Sequence, residues 1–280
     1  MAPTLSHCAR EVRREDRDRY LSALFAPDGV REALFALYAF NAEIARAREV
    51  VTEPLLGEIR LQWWRDALDG LYGGRNLAHP VVEALGRAIG KHGLKRAGFE
   101  RMIDARAADL SPEPPADMAT LEAYAGASSG TLMELALECL GVATPDARRA
   151  AQEAGIAYAL VGLLRAVPFH ARRKRLMLPF DRLRVAGLDT HSIFELRPST
   201  ALAQVVREVG ELAFRHLTEA RRTVRGLPIE AWPALLPAAL VASDLARLRR
   251  KDWNPFALKA GPAGTGRQLR LTWARIVRRL

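Results

Sequence analysis

Hydrophobic positions recur at three- and four-residue spacing over almost the whole chain, the period of a helix with one buried face. A first amphipathic stretch runs from about residue 6 to 25, and a second from Asp28, read as an N-cap after Pro27, to about Val51. "TEPLLGEIRLQWWRDALDGLYGG" predicts a third helix, opened by Thr52 and Pro54 and stopped by Gly73-Gly74. Helices follow at about 80–92 and 96–110, and "SPEPPAD" is the clearest loop. From Thr120 to Leu140 the pattern is helical but interrupted by "AGASSG", whose small residues mark a kink or a close helix contact. "TPDARRAAQEAGIAYALVGLLRAVP" has Thr144 as N-cap, Pro145 at the first helical position and Pro168 as its stop. A basic loop, "FHARRKRLMLPFDRLRVAGL", leads to helices at about 199–225 and 229–250, and "KAGPAGTG" precedes a last segment, "RQLRLTWARIVRRL". No segment carries the period of two that a strand requires. The expectation is an all-α single domain of about nine to eleven helices, more than a four-helix bundle needs.

Composition agrees with that pattern. A chain of 280 residues, nearly half of them hydrophobic, can bury roughly three quarters of its unfolded surface, so a substantial core is available. No run approaches about 20 uninterrupted apolar residues and the N-terminal stretch has no apolar signal core, so a cytoplasmic protein is expected. Cys8 and Cys139 form no CxxC-type pattern, which argues against a disulfide framework or a zinc site. The net charge of +10 predicts attraction to something acidic. With no zinc-finger or RNA-binding signature beside it, nucleic acid is not expected as the partner.

Two stretches carry a resemblance. "LYAFNAEIARARE" and "AGIAYALVGLLRAVPFHARRKRLMLP" resemble the squalene/phytoene synthase family, and "DRDRYLSALFAPDGVREALFALYAF", "HPVVEAL" and "IDARAADL" extend the likeness over nearly the whole chain. The resemblance implies the isoprenoid synthase fold: a helical bundle around a central cavity, flanked by two helices with aspartate-rich motifs. In such motifs acids at i and i+4 share a helix face, so facing helices can hold Mg²⁺ around a diphosphate and assist its departure. With Phe40 as the anchor, the first motif falls on Ala45, Arg46 and Glu49, and only Glu49 is acidic. The second falls on Ala159, Gly162, Ala166 and His170, none of them a carboxylate, while Arg165 and Arg175 match basic positions. "YAFNAE", "LRAVPFHARRK" and "DLARLRRKDWNPF" are similar to one branch of the family, the complex I assembly factors. The resemblance therefore implies a non-catalytic protein acting through contacts with respiratory complex I subunits or assembly intermediates, peripheral on the inner membrane. Catalytic residues and bound metal are not expected. The alternative is a prenyl transferase joining two isoprenoid diphosphates head to head, which would need Mg²⁺.

Other candidates stay open between two readings. Arg165, Arg172, Arg173, Lys174 and Arg175 form the densest basic cluster, either a phosphate or lipid-headgroup site or a solvated loop after a helix stop. His170 reads as a general base or as a surface or structural residue. Tyr38, Phe40 and Tyr124 are expected at the cavity wall by resemblance, with core packing as the plain reading. Asp104 and Asp109 are expected at the surface or in caps, since a spacing of five separates them around a helix. Of the adjacent Trp63 and Trp64, one is expected in the core and the other on a contact surface. Residues 1–260 are expected to form the helical domain, and 261–280 a glycine-rich linker followed by a basic amphipathic segment. That segment suits an anionic membrane surface, or else packs on the bundle with its arginines outward. The cavity is a possible site for an isoprenoid chain.

Overall fold

Breaks in the backbone pattern divide the chain more finely than its hydrophobic period does. The structure, a computed structural model, describes residues 5–48, 54–75, 77–258 and 265–280. Among the described residues there are fifteen α-helices and no strand. The first half comprises α1 (His7–Glu15), α2 (Arg17–Ala23), α3 (Asp28–Ala45), α4 (Pro54–Tyr72), α5 (Pro80–His92), α6 (Arg96–Ala107), α7 (Met118–Ala125) and α8 (Thr131–Cys139). The second comprises α9 (Pro145–Arg172), α10 (Phe180–Val185), α11 (Thr190–Phe194), α12 (Thr200–Thr223), α13 (Trp232–Leu235), α14 (Val241–Arg249) and α15 (Thr265–Val277). The count exceeds the nine to eleven expected because three long patterns are interrupted and two short helices, α10 and α11, form in and just after the stretch expected to be a basic loop. Asp16 leaves helical geometry between α1 and α2, where its carboxylate caps the Arg19 amide at 3.0 Å. A π-helical turn, Gly126–Gly130, separates α7 from α8. Pro233 and Pro237 break the 229–250 stretch into α13, a 3₁₀ segment at Leu236–Leu240, and α14.

Several boundary expectations are corrected. Asp28 is the first residue of α3 and not its cap; Pro27 holds the cap position, and the Asp28 carboxylate pairs instead with Arg31 at 2.9 Å. Pro168 does not stop α9, which continues to Arg172. Val167 and Ala171, on the inner side of that last turn, are buried, so packing offsets the hydrogen bond that proline removes. Lys174, in the left-handed region at φ 53°, ends the segment. Thr52 lies outside the described residues, while α4 starts at Pro54 and ends just before Gly73 as the pattern predicts.

The core is built around α9, which packs along α12, α8 and the π turn. Here backbones nearly touch: a Cβ on Gly155 would sit 2.4 Å from Gly130 Cα, so only hydrogens fit between the helices. The "AGASSG" stretch is thus both a kink and a close contact. On the other side Phe40 meets Trp64 and Phe99 edge-on, with ring centroids 5.2 and 5.4 Å away, all three fully buried. Trp63 next to it remains 39% exposed, so the adjacent tryptophans divide as expected. Residues 145–172 and 229–249 are each long and apolar enough to cross a membrane, which the count of uninterrupted apolar residues did not predict. In this fold 44% of the most apolar stretch of the first and 72% of that of the second are buried inside the bundle.

The last helix is not detached. Although the glycine-rich stretch 259–264 lies outside the described residues, α15 packs against α2 and the Leu236–Leu240 segment and buries Leu271 and Ala274.

Candidate functional site

Where α1 gives way to α2, the chain faces α9 across a cavity of about 420 Å³. The π turn contributes Ser128 and Ser129, α7 contributes Tyr124, and α9 contributes Tyr158, Ala159 and Gly162. Small residues on α9 leave the space and the α1–α2 junction supplies the charge. Six arginines and three acids line the cavity, so its wall is cationic on balance.

Each acid is held by an arginine of the same chain. Asp16 takes Arg19 Nη1 at 2.6 Å, and the other end of that guanidinium donates to Ser129 Oγ at 3.0 Å. Arg19 also lies over the Tyr158 ring at 4.9 Å. Burial alone would lower the Arg19 pKa, but Asp16 outweighs it and holds it raised. Asp18 receives Arg267 through Nε at 2.9 Å and Nη2 at 2.5 Å, and the Tyr158 hydroxyl donates to it at 3.2 Å. Through Nη1 the same arginine reaches both oxygens of Asp244, at 2.8 and 2.9 Å, and Arg165 adds a contact at 3.3 Å. Asp18, Asp244 and Arg267 are all largely buried, and α15 is thereby tied to α2 and α14 at the cavity wall. Glu15 is shared by Arg14 at 2.7 Å and Arg46 at 3.6 Å.

A second cluster closes the cavity beside α6. Arg106 Nη1 donates to the Tyr124 hydroxyl at 2.5 Å and to Asp109 at 3.2 Å, and that hydroxyl donates to Asp109 at 3.1 Å. Burial, then Asp109 despite the opposing Arg106, holds the Tyr124 phenol above its ordinary pKa. Asp109, expected at the surface, is a buried hub: after Ala107 the helix tightens into a 3₁₀ turn that swings it inward. Asp104 does stay outside, paired with Arg65 at 2.6 Å.

The positions singled out by sequence separate. Ala159, Gly162, Arg165 and Tyr124 line the cavity together. Tyr38 and Phe40 do not: both are core residues, Phe40 in the aromatic cluster and Tyr38 beneath Arg19 at 6.0 Å. Of α3, Asn41 reaches the cavity, whereas Ala45 lies at the helix end. Arg46 caps that end and turns toward α1, pairing with Glu43 at 2.5 Å and Glu11 at 3.3 Å. Glu49 lies outside the described residues. Farther along α9, Ala166 and His170 lie beyond the lining. The basic cluster also disperses. Arg175 donates to the Asp109 carbonyl at 2.7 Å, Arg173 stacks on Phe169 at 3.7 Å, and Arg172 and Lys174 face solvent. His170 has its Nδ1 buried without a partner, and burial, then Arg175, pushes its pKa down to about 4, so the ring is neutral at pH 7. Asp16, Asp18 and Asp244 escaped the reading of the sequence, where the alternation of charge in "DRDRY" was the one local signal available, and Arg267, read as one of the arginines of the basic C-terminal segment, points inward to Asp18 and Asp244.

The sequence model of squalene/phytoene synthases matches residues 12–276. The chain belongs to this family. A mouse (Mus musculus) protein named NADH dehydrogenase (ubiquinone) complex I, assembly factor 6, is 32% identical over 250 residues, covering 89% of this chain and 75% of that one. A phytoene synthase of Arthrospira platensis is 25% identical over 258 residues, covering 86% and 82%. Among solved structures, a dehydrosqualene synthase in complex with ligand superposes with a TM-score of 0.83 at 19% identity, covering 97% of this chain and 95% of that one. The architecture is therefore the helical fold of the squalene/phytoene synthases.

The Mg²⁺ implied by the family's aspartate-rich motifs does not fit the described aspartates around this cavity. Mg²⁺ binds carboxylates that have free oxygens, in near-octahedral geometry. Here both oxygens of Asp18 and of Asp244 accept from guanidinium groups, and Asp16 is divided between the Arg19 side chain and amide. Among the described residues no group of three or more His, Cys, Asp or Glu can hold a metal ion.

Proposed function

We propose that this protein is a non-catalytic squalene/phytoene synthase relative that acts in assembly of the respiratory NADH dehydrogenase, peripherally at the inner membrane. The observation that carries the reading is the pairing of the acids at the cavity with arginines of the same chain. Asp16, Asp18 and Asp244 serve as counter-ions for Arg19 and Arg267, so they hold helices together instead of holding a metal. Such pairs specify one arrangement of α2, α9, α14 and α15, which suits a rigid scaffold. Relatives named as complex I assembly factors support the same reading. The partners are complex I subunits or assembly intermediates, and the cationic cavity is a possible seat for an isoprenoid compound.

Deletion of the gene tests the proposal. Membranes of the deletion strain should lose NADH dehydrogenase activity and assembled enzyme, and a plasmid copy should restore both. Normal activity in a clean deletion refutes the assembly role.

A second reading, prenyl transfer, has one observation in its favour: three carboxylates do stand on the cavity wall. It predicts Mg²⁺-dependent release of diphosphate from farnesyl or geranylgeranyl diphosphate. The pairing of those acids predicts none, and measurable turnover would refute the non-catalytic reading.

A further inference from the structure

Helix α15 has two apolar faces, and only one is covered. Leu271 and Ala274 point into the bundle together with Arg267, at positions i, i+4 and i+7 of one side counted from Arg267. On the opposite side Leu269, Trp273 and Ile276 are 69, 65 and 68% exposed, and Val277 beside them is 40% exposed. These four fall within about 100° of arc at 3.6 residues per turn, so they form one continuous stripe. Arg270 flanks the stripe in solvent, Arg275 is half-buried, and Arg278 and Arg279 follow the helix end, both exposed. Residues 265–280 contain no Asp or Glu.

We propose that this outer face of α15 docks on an anionic lipid surface, with Leu269, Trp273 and Ile276 in the acyl–headgroup boundary and the arginines on lipid phosphates. The inference rests on the peripheral-membrane part of the proposed function and names the surface responsible for it. Charge selects lipid over protein. The charged neighbours of the stripe on this segment are all cations, with Thr272 and Gln268 along its other edge, and such a rim complements a uniformly negative plane, whereas protein interfaces commonly mix signs at their rims. Another exposed apolar stripe, Leu55, Ile59 and Trp63 on α4, is interspersed with Glu58, Arg60 and Asp66 and lacks that bias. The buried side of α15, anchored by Arg267 to Asp18 and Asp244, fixes the direction in which the outer side faces. Because Arg267 lines the cavity, docking places lipid roughly one helix diameter, about 10–12 Å, from the cavity wall.

The test is co-flotation of the purified full chain with vesicles of phosphatidylcholine alone, or of phosphatidylcholine with phosphatidylglycerol. Binding is expected to the anionic vesicles only, and to fade at about 0.5 M salt, where charge interactions are screened within a few ångströms. Trp273→Ala with Ile276→Ala should lower partitioning at least about tenfold. Arg270→Gln with Arg279→Gln should lower it about 25-fold, at about fivefold per arginine. Both pairs are exposed, and an unchanged circular-dichroism melt verifies that each variant folds; Ile59→Ala on α4 should bind as the parent does. Equal binding to neutral vesicles, no binding to either, or full binding by the variants overturns the proposal. So does a stripe variant that keeps vesicle binding but loses a co-purifying protein, which makes the face a protein dock. Vesicle binding is read on the isolated chain, so it can fail while the deletion strain still lacks assembled NADH dehydrogenase, and the reverse.

Discussion

Replacing Arg267 by Ala removes one guanidinium that serves two buried carboxylates. Asp18 would keep the Tyr158 hydroxyl at 3.2 Å, and Asp244 would keep Arg165 at 3.3 Å and Arg247 at 3.7 Å. Neither remainder replaces a two-pronged charged donor, and breaking a buried ion pair from one side costs about 3–5 kcal/mol, most of it from stranding the partner. An unfolding entropy of about 2.1 cal/mol/K per residue amounts to about 0.6 kcal/mol/K for 280 residues. The variant should therefore melt about 5–8 °C below the parent in a calorimetric or circular-dichroism scan. Arg267→Lys, which keeps the charge but loses the fork, should fall between. The cycle is completed by Asp18→Asn: the double variant should be less destabilised than the sum of the singles by about 1–3 kcal/mol, because the stranded charge is gone. A shift under about 2 °C, or strict additivity, would refute the claim that this triad fastens α15 to the body.

Three further outcomes follow from other parts of the fold. The His170 pKa lies near 4 when folded against 6.5 ordinarily, so the unfolded chain takes a proton that the native state refuses; stability is lost as pH falls from about 6.5 toward 4. At pH 5 this amounts to about 2 kcal/mol, or about 3 °C at about 0.6 kcal/mol/K, and His170→Gln should reduce the fall in melting temperature between pH 7 and 5 by about that much, an equal slope in the variant counting against it. Burial first, then nearby carboxylates, pushes the Cys8 thiol up to about 11 and the Cys139 thiol up to about 12. Neither should react with an aromatic disulfide reagent at about pH 8 until the chain is denatured, and labelling of the native protein would show these sites to be open. Gly155→Ala should cost about 1–3 kcal/mol in chemical denaturation, since its Cβ would meet the Gly130 backbone at 2.4 Å, whereas Gly162→Ala, which meets nothing within 4 Å, should be near neutral.

Local chemistry was readable from the chain itself. Thr144 and Ser199 cap α9 and α12 through bonds to residues three positions on, and Pro80, Gly93 and the Gly73-Gly74 pair stand where helices start or stop. Hydrophobic period, caps and composition therefore determined that the protein is an all-helical bundle, and the spaced motifs pointed to its family. Helix ends were misread at Asp28 and Pro168, where packing or a neighbouring arginine overrides local preference.

The site depended on the third dimension. Asp18 and Arg267 lie 249 positions apart, and nothing in the neighbourhood of either announces the other. Asp109 looked like a surface acid until a tightened turn carried it to Arg106 and Tyr124. Periodicity tells which side of a helix is buried, because that depends only on the spacing of residues along one axis. Which charges then meet inside is set by how the axes cross, so the sequence determined the helices and their family, and the tertiary structure alone decided that the cavity's acids are occupied by its own arginines.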